Sequence, residues 1–150
     1  MIFWQSIFII AYSLFALSGF CLGLRQSSKK HNAFGNHPIF NLIGAFVWGD
    51  CVVFGLFWFL VGIVVLLLQN WWLFWLAQSA FWFVRSFGET IYWLNQQYSQ
   101  RMRNPPQKFW LFKIFKNESV WFINQIAWQC LAVVSLILTI YFTNLWLQSL

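Results

Sequence analysis

Three charged residues of this sequence lie within or beside long apolar runs, where a charge needs a partner or a function. They are Asp50, Arg85 and Glu89. Asp50 comes nineteen residues before Gln69, and Glu89 comes nineteen residues after Asn70. If Gln69 and Asn70 form a turn between two antiparallel helices, the two carboxylates lie at similar depth and Arg85 lies about 6 Å deeper. We therefore predict a charged cluster in which Arg85 reaches both carboxylates.

The chemistry of this predicted cluster has several interpretations. An ionisable residue at membrane depth costs at least about 2.5–3.5 kcal/mol on insertion scales, so it is a candidate functional residue. Arg85 and Glu89 are four residues apart, a spacing at which side chains pair on one helix. The simplest interpretation is structural, namely that Arg85 neutralises a carboxylate and holds the second helix against the third. Two carboxylates with one arginine would also suit a shared proton, a bound cation or a phosphate head group, and the spacing does not choose among these.

Other residue types that carry chemistry are sparse and scattered. The sequence contains no Gly-rich phosphate loop, no HExxH and no GxSxG. Cys21, Cys51 and Cys130 are an odd number without a CxxC spacing, so we expect free thiols that behave as small apolar residues. His31 and His37 are six apart in a predicted loop, a poor spacing for a metal site. We expect no cofactor and no metal, and the sequence favours a protein that is not an enzyme.

The composition explains why charges are so rare. Hydrophobic residues make up 61% of the 150 residues, against about 45–50% in soluble domains. Charged residues make up 8%, against about 25%. Twelve charged side chains cannot cover the surface of a soluble protein of this size, whereas lipid-facing helices need no such cover. The sequence therefore predicts an all-α integral membrane protein.

The net charge of +6 is concentrated between the apolar runs, and this position argues against nucleic acid as a partner. Basic residues cluster at two places, Arg25, Lys29 and Lys30 first, and Arg101, Arg103, Lys108, Lys113 and Lys116 later. Such clusters between spans are typical of cytoplasmic loops. No aromatic-and-basic RNA motif accompanies them.

The apolar pattern predicts one transmembrane domain over 1–150, a bundle of four helices. The spans are expected at about 2–24, 39–68, 71–98 and 120–147. The 34 uncharged residues between Asp50 and Arg85 would extend about 51 Å as one helix, which is too long for one span. We therefore place a turn at Gln69–Asn70. The third helix must continue past Arg85 to about Tyr98, and its polar residues recur at helical period.

Small and polar residues predict which helix faces pack together. Gly19 and Gly23 are four apart in the first helix, a spacing that lets backbones approach closely. In the last helix, Gln125, Gln129 and Ser135 belong to a stripe of small and polar residues that we expect to face the other helices.

The segment before the last helix alternates lysines with apolar residues. Lys108, Lys113 and Lys116 are interleaved with Trp110 and other large apolar residues. This pattern is typical of a short amphipathic helix lying in the membrane interface, with its lysines at lipid head groups. A plain helix start is the alternative interpretation.

The positions of the charges also predict an orientation. Placing both basic clusters in the cytoplasm puts the Gln69–Asn70 turn outside, and four spans then put both termini outside. No Lys or Arg precedes Arg25, so we interpret the first apolar run as a retained helix rather than a secretory signal. The expected location is the cytoplasmic (inner) membrane.

Three functions fit these features. The first is a non-catalytic subunit or assembly partner of a larger membrane complex, favoured by the absence of catalytic motifs. The second is a homo-oligomeric channel or transporter, with Asp50 and the polar stripe of the third helix lining the pathway. The third is a lipid-binding membrane enzyme or carrier. The expected partners are membrane lipids and either other membrane subunits or copies of the same chain.

Overall fold

The computed structural model describes residues 1–98, 105–109 and 111–150, apart from the side chain of Lys108. Its helices are α1 (Phe3–Leu24), α2 (Trp48–Leu68), α3 (Trp71–Tyr98), α4 (Phe112–Phe115) and α5 (Ser119–Gln148). The described residues contain no β-strand, so the all-α class predicted from the sequence is confirmed. Part of the predicted basic loop, with Arg101 and Arg103, and also Trp110 lie outside the described residues.

Three segments of the described chain are long and apolar enough to cross a membrane, namely Phe3–Lys29, Trp48–Leu68 and Ser119–Gln148. They indicate an integral membrane protein. The third helix begins at Trp71, as predicted from the sequence, and covers 28 described residues, yet it is not among these segments. Its composition explains the difference, because its second half carries Arg85, Glu89 and several amides.

The second helix begins nine residues later than predicted, at Trp48 rather than near residue 39. Pro38–Ile43 instead forms a 3-10 helix that ends at Gly44, whose φ of 74° lies in the left-handed region. Apolar composition predicts burial, but it does not distinguish a longer helix from an apolar loop that packs against a helix. With 21 residues, α2 is about 31 Å long, close to the thickness of the hydrocarbon layer.

The described chain divides into two compact units. Unit 1 consists of Met1–Ala77 and Thr143–Leu150, and unit 2 consists of Gln78–Phe142. Unit 1 therefore contains α1, α2 and the beginning of α3, while unit 2 contains the rest of α3, α4 and most of α5.

Unit 1 is built on a close approach between α1 and α2. A Cβ atom placed on Gly55 would lie 2.6 Å from the backbone nitrogen of Phe20 and 2.7 Å from the carbonyl oxygen of Ala16. Real Cβ atoms do not approach other atoms so closely, and neither backbone atom can move aside on its own. The absence of a side chain at Gly55 is therefore what allows the two helices to meet at this point.

Two further contacts define the direction of this pair. A Cβ atom on Gly23 would lie 2.8 Å from the Cβ atom of Cys51, near the end of α1 and the start of α2. A Cβ atom on Gly62 would collide with the hydroxyl of Ser13, farther back along α1. Later residues of α1 thus contact earlier residues of α2, so the helices pack antiparallel. They bring both ends of the intervening segment, residues 25–47, to the same end of the pair.

The opposite end of unit 1 is closed by the predicted turn, which the structure confirms. Gln69 adopts the left-handed conformation with φ 50°. Asn70 then caps α3, because its Oδ1 accepts hydrogen bonds from the backbone N–H of Trp72 (3.1 Å) and Leu73 (3.2 Å). Below this turn lies a buried cluster of Ile9, Val65 and Phe74.

Unit 2 has a polar contact between α3 and α5 and an aromatic contact between α3 and the segment before α4. The Gln97 side-chain N–H donates to Oε1 of Gln125 at 2.5 Å. The Trp93 ring meets the Phe109 ring edge to face, with centroids 5.2 Å apart. The predicted interfacial helix is short, since α4 covers four residues and ends at Lys116, whose φ is 53°.

Replacing Gly55 with alanine is expected to destabilise the α1–α2 pair by about 1–3 kcal/mol, because the added methyl overpacks a backbone contact. Gly88→Ala is the matched control, since nothing lies within 4 Å of a Cβ atom placed there in α3. The measurement is the thermal unfolding midpoint in mild detergent. Equal midpoints for the two variants would contradict the close approach at Gly55.

Candidate functional site

The central part of the predicted charged cluster is an ion pair on α3. Arg85 and Glu89 lie 2.9 Å apart between Nη2 and Oε1, one helical turn from each other. Their side chains are only 17% and 14% exposed. A charge that is mostly covered costs free energy unless a charge of opposite sign accompanies it. The pair therefore stabilises each of its members and removes the net charge from this stretch of α3.

Asp50 lies in the first turn of α2 and has a backbone partner. Its Oδ2 accepts a hydrogen bond from the N–H of Phe46 at 3.0 Å. A carboxylate in the first turn also interacts favourably with the N-terminal end of the helix dipole. Asp50 belongs to unit 1, whereas Arg85 and Glu89 belong to unit 2. The three-residue cluster accordingly stays a prediction.

The two glycines predicted to mediate helix packing are both buried in α1. A Cβ atom on Gly19 would lie 3.0 Å from the ring of Phe40 and 3.3 Å from Cδ1 of Ile43. Gly19 therefore accommodates the 3-10 helix that precedes α2. Gly23 approaches α2 itself, since its Cβ atom would lie 2.8 Å from the carbonyl oxygen of Trp48. Both glycines contact segments of the same chain.

The polar stripe predicted for the last helix is only partly buried. Gln125 bonds to Gln97, and Ser135 is 3% exposed. Gln129, in contrast, is exposed among the described residues, so its contact with another helix stays a prediction. The buried stripe of α5 is narrow, and Gln129 lies about 60° around the helix from buried Ala132. Steps of three and four residues drift around a helix, so a sequence pattern alone places the edge of such a stripe poorly.

The lysines predicted to contact lipid head groups lie around α4. Lys113 and Lys116 are exposed, and the side chain of Lys108 lies outside the described atoms. Between the two lysines, Ile114 is 62% exposed and Phe115 is 42% exposed. Exposed lysines next to exposed large apolar side chains are compatible with the membrane interface.

The structure identifies one important residue that the sequence analysis missed, Trp58. It is fully buried, and its Nε1–H donates to the carbonyl oxygen of Ile43 at 3.2 Å. A signal was present, because the buried residues of α2 recur at steps of three and four along the whole helix. They are Trp48, Cys51, Gly55, Trp58, Gly62 and Val65.

Reactive groups are not clustered in the described part of the chain. Among those residues, no group of three or more His, Cys, Asp or Glu side chains is placed to hold a metal ion. Cys21 and Cys130 are exposed free thiols, and Cys51 is a buried one. Comparison with protein-family models, with curated proteins and with solved structures found no match for this chain. The function is therefore argued from this chain's own residues.

A double-mutant cycle tests the ion pair on α3. Arg85→Met and Glu89→Gln are each expected to lower stability by about 1–3 kcal/mol, because each leaves a largely covered charge without its partner. The double variant is expected to be more stable than the sum of the two single effects implies. Unfolding midpoints in detergent measure all four proteins. Additive losses would mean that the two side chains do not depend on each other.

Trp58→Phe tests the link between α2 and the 3-10 helix. The substitution keeps an aromatic ring but leaves the Ile43 carbonyl unpaired, at an expected cost of about 1–3 kcal/mol. Hydrogen exchange at residues 38–46 is expected to accelerate more than exchange in the middle of α1. Trp93→Phe, another buried tryptophan that lies in unit 2, is the control and should leave this segment protected.

Proposed function

We propose that this chain is a multi-pass membrane protein that acts as a non-catalytic subunit or assembly partner of a larger membrane complex. The observation that carries the proposal is an exposed stripe on α5. Its members recur at steps of three and four residues and are large and apolar except for one amide. They are Phe122, Ile126, Gln129, Val133, Ile137 and Ile140.

The amide in this stripe favours a protein partner over lipid alone. Gln129 is exposed, and its side chain makes no hydrogen bond to other residues that the structure describes. A carboxamide both donates and accepts hydrogen bonds, and acyl chains can do neither. A polar side chain on a neighbouring helix can satisfy it, and such bonds contribute about 0.6–2 kcal/mol to helix association in membranes.

The charged residues support an architectural role more than a transport pathway. Glu89 neutralises Arg85, and Asp50 accepts a backbone hydrogen bond at the start of α2. A pathway for ions or protons needs groups that can exchange their partners during transport. Groups already engaged in ion pairs and caps stabilise helices instead, which is the role expected of a structural subunit.

The proposed membrane arrangement has four crossings. We take α3 as the fourth because pairing Arg85 with Glu89 lowers the cost of placing its second half near lipid. Both basic clusters then face the cytoplasm and both termini face outside, which corresponds to the cytoplasmic (inner) membrane. Lys108, Lys113 and Lys116 would contact lipid head groups at the cytoplasmic side.

Cys130, next to Gln129, allows a direct test by cross-linking. The Cys21→Ser variant leaves Cys130 as the exposed thiol, and Cys130→Ser leaves Cys21. Each variant is labelled in native membranes with a thiol-linked photoreactive group, irradiated and digested for mass spectrometry. We expect Cys130 to cross-link to one membrane protein at a defined position, and Cys21 not to cross-link to it.

Gln129→Leu is the decisive companion variant, because it keeps the size and apolar character of the stripe. It should reduce the Cys130 cross-link several-fold if the amide bonds the partner helix. A cross-link to a second copy of this chain would overturn the subunit proposal in favour of a homo-oligomer. Cross-links to lipid alone would remove the case for any protein partner on this face.

A further inference from the structure

The segment between α1 and α2, residues 25–47, carries positive charge without compensating acids. Arg25, Lys29 and Lys30 are exposed, and the segment contains no Asp or Glu. None of the three cations forms an ion pair with a described carboxylate. They follow α1 directly, since Arg25–Lys29 continues that helix as a π-helical turn. This end of unit 1 therefore presents three exposed positive charges at the end of one continuous helix.

The same segment has two different apolar faces. On the inner face, Phe40 is 5% exposed and Ile43 is fully buried. Three other apolar side chains of the segment are exposed, and we call them its outer face: Phe34 at 86%, Ile39 at 49% and Leu42 at 66%. The inner face is accounted for by packing, because Phe40 stacks on a phenylalanine of α1 and Gly19 accommodates both buried residues. Packing within unit 1 does not explain why the outer face is apolar.

Phe34 is held in place by backbone hydrogen bonds on both sides. The carbonyl of Ala33 accepts from the N–H of Gly49 at 3.0 Å, and the carbonyl of Gly35 accepts from the N–H of Trp48 at 2.8 Å. These donors are among the N–H groups that a helix leaves without partners in its first turn. The backbone that carries the exposed ring is therefore held at the N-terminal end of α2.

We propose that the segment 25–47 is a binding surface for anionic phospholipid. Arg25, Lys29 and Lys30 contact the phosphate of the head group, and Phe34 and Leu42 insert among the acyl chains. Two observations on the same short segment point to this partner. Exposed cations attract an anion, exposed large apolar side chains are stabilised by an apolar phase, and an anionic lipid supplies both. The inference rests on the proposed membrane placement and does not depend on the partner helix at α5.

Native mass spectrometry of the full chain in mild detergent tests the proposal, with phosphatidylglycerol and phosphatidylcholine titrated separately. Wild-type protein is expected to retain phosphatidylglycerol more tightly. Lys29→Gln/Lys30→Gln should weaken this binding by about thirtyfold, since each basic side chain near an anionic surface contributes roughly fivefold. Binding of phosphatidylcholine should be unchanged.

The matched control is Lys29→Arg/Lys30→Arg, which keeps both exposed positive charges at the same positions. It should leave the preference for phosphatidylglycerol intact. A second pair, Phe34→Ser/Leu42→Ser, should weaken both lipids alike, because it removes the acyl contact and keeps the charges. All these positions are exposed, so helix content by circular dichroism should equal that of the wild type.

Two results would overturn the proposal. One is equal affinity of the wild-type chain for the two lipids. The other is an equal loss of phosphatidylglycerol binding in the Gln pair and the Arg pair at Lys29 and Lys30, which would mean that the positive charges do not hold the lipid. Neither result bears on the α5 cross-link, so this inference and the proposed function can fail separately.

Discussion

The contact on which unit 1 depends is the backbone-to-backbone approach of α1 and α2 at Gly55. In a membrane the hydrophobic effect does not drive helices together, because lipid is as apolar as their side chains. Close packing has to supply the attraction, and it is greatest where backbones touch. Ser13, Ala16 and Gly23 on α1, facing Cys51, Gly55 and Gly62 on α2, provide that surface over several turns.

The position of the segment 25–47 follows from that antiparallel contact. Because α1 ends where α2 begins, the segment folds back on its own helices instead of extending into solvent. Two sets of hydrogen bonds hold the segment. Trp58 donates to the Ile43 carbonyl, and the N–H groups in the first turn of α2 donate to the carbonyls of Ala33 and Gly35. Irregular backbone near a membrane is tolerated where its polar groups find such partners. One consequence is that the apolar side chains on its outer face stay exposed.

Polar residues serve a different purpose in unit 2. The Gln97–Gln125 bond and the Arg85–Glu89 pair satisfy groups that an apolar surrounding would penalise. The Gln97–Gln125 bond joins two helices and so fixes the register between α3 and α5, whereas the Arg85–Glu89 pair lies within α3. Gln129 differs from these residues because it is an exposed amide within an apolar stripe and is unsatisfied within the described residues. It is for this reason the residue that distinguishes a surface for a partner from a surface for lipid.

The sequence alone determined the class of protein, the turn at Gln69–Asn70 and the start of α3. Composition is sufficient for the class, because 8% charged residues cannot solvate a globular surface. The turn follows from length, since one helix cannot contain so many uncharged residues within a bilayer. The pairing of Arg85 with Glu89 follows from their spacing on one helix. These are local properties, and local sequence encodes them.

Tertiary structure decided the start of α2, the roles of Trp58 and Asp50, and the exposure of Gln129. Ile39 to Val47 is as apolar as a helix would be, and only its packing against Gly19 and Trp58 makes it a 3-10 helix and an extended link. Asp50 is close enough to Phe46 to accept its N–H because α2 begins at Trp48, directly after the extended residue Val47. Whether Gln129 is buried depends on the width of the α5 face that packs against other segments. Such features depend on which segments meet, and hydrophobic periodicity gives the period of a face but not its partner.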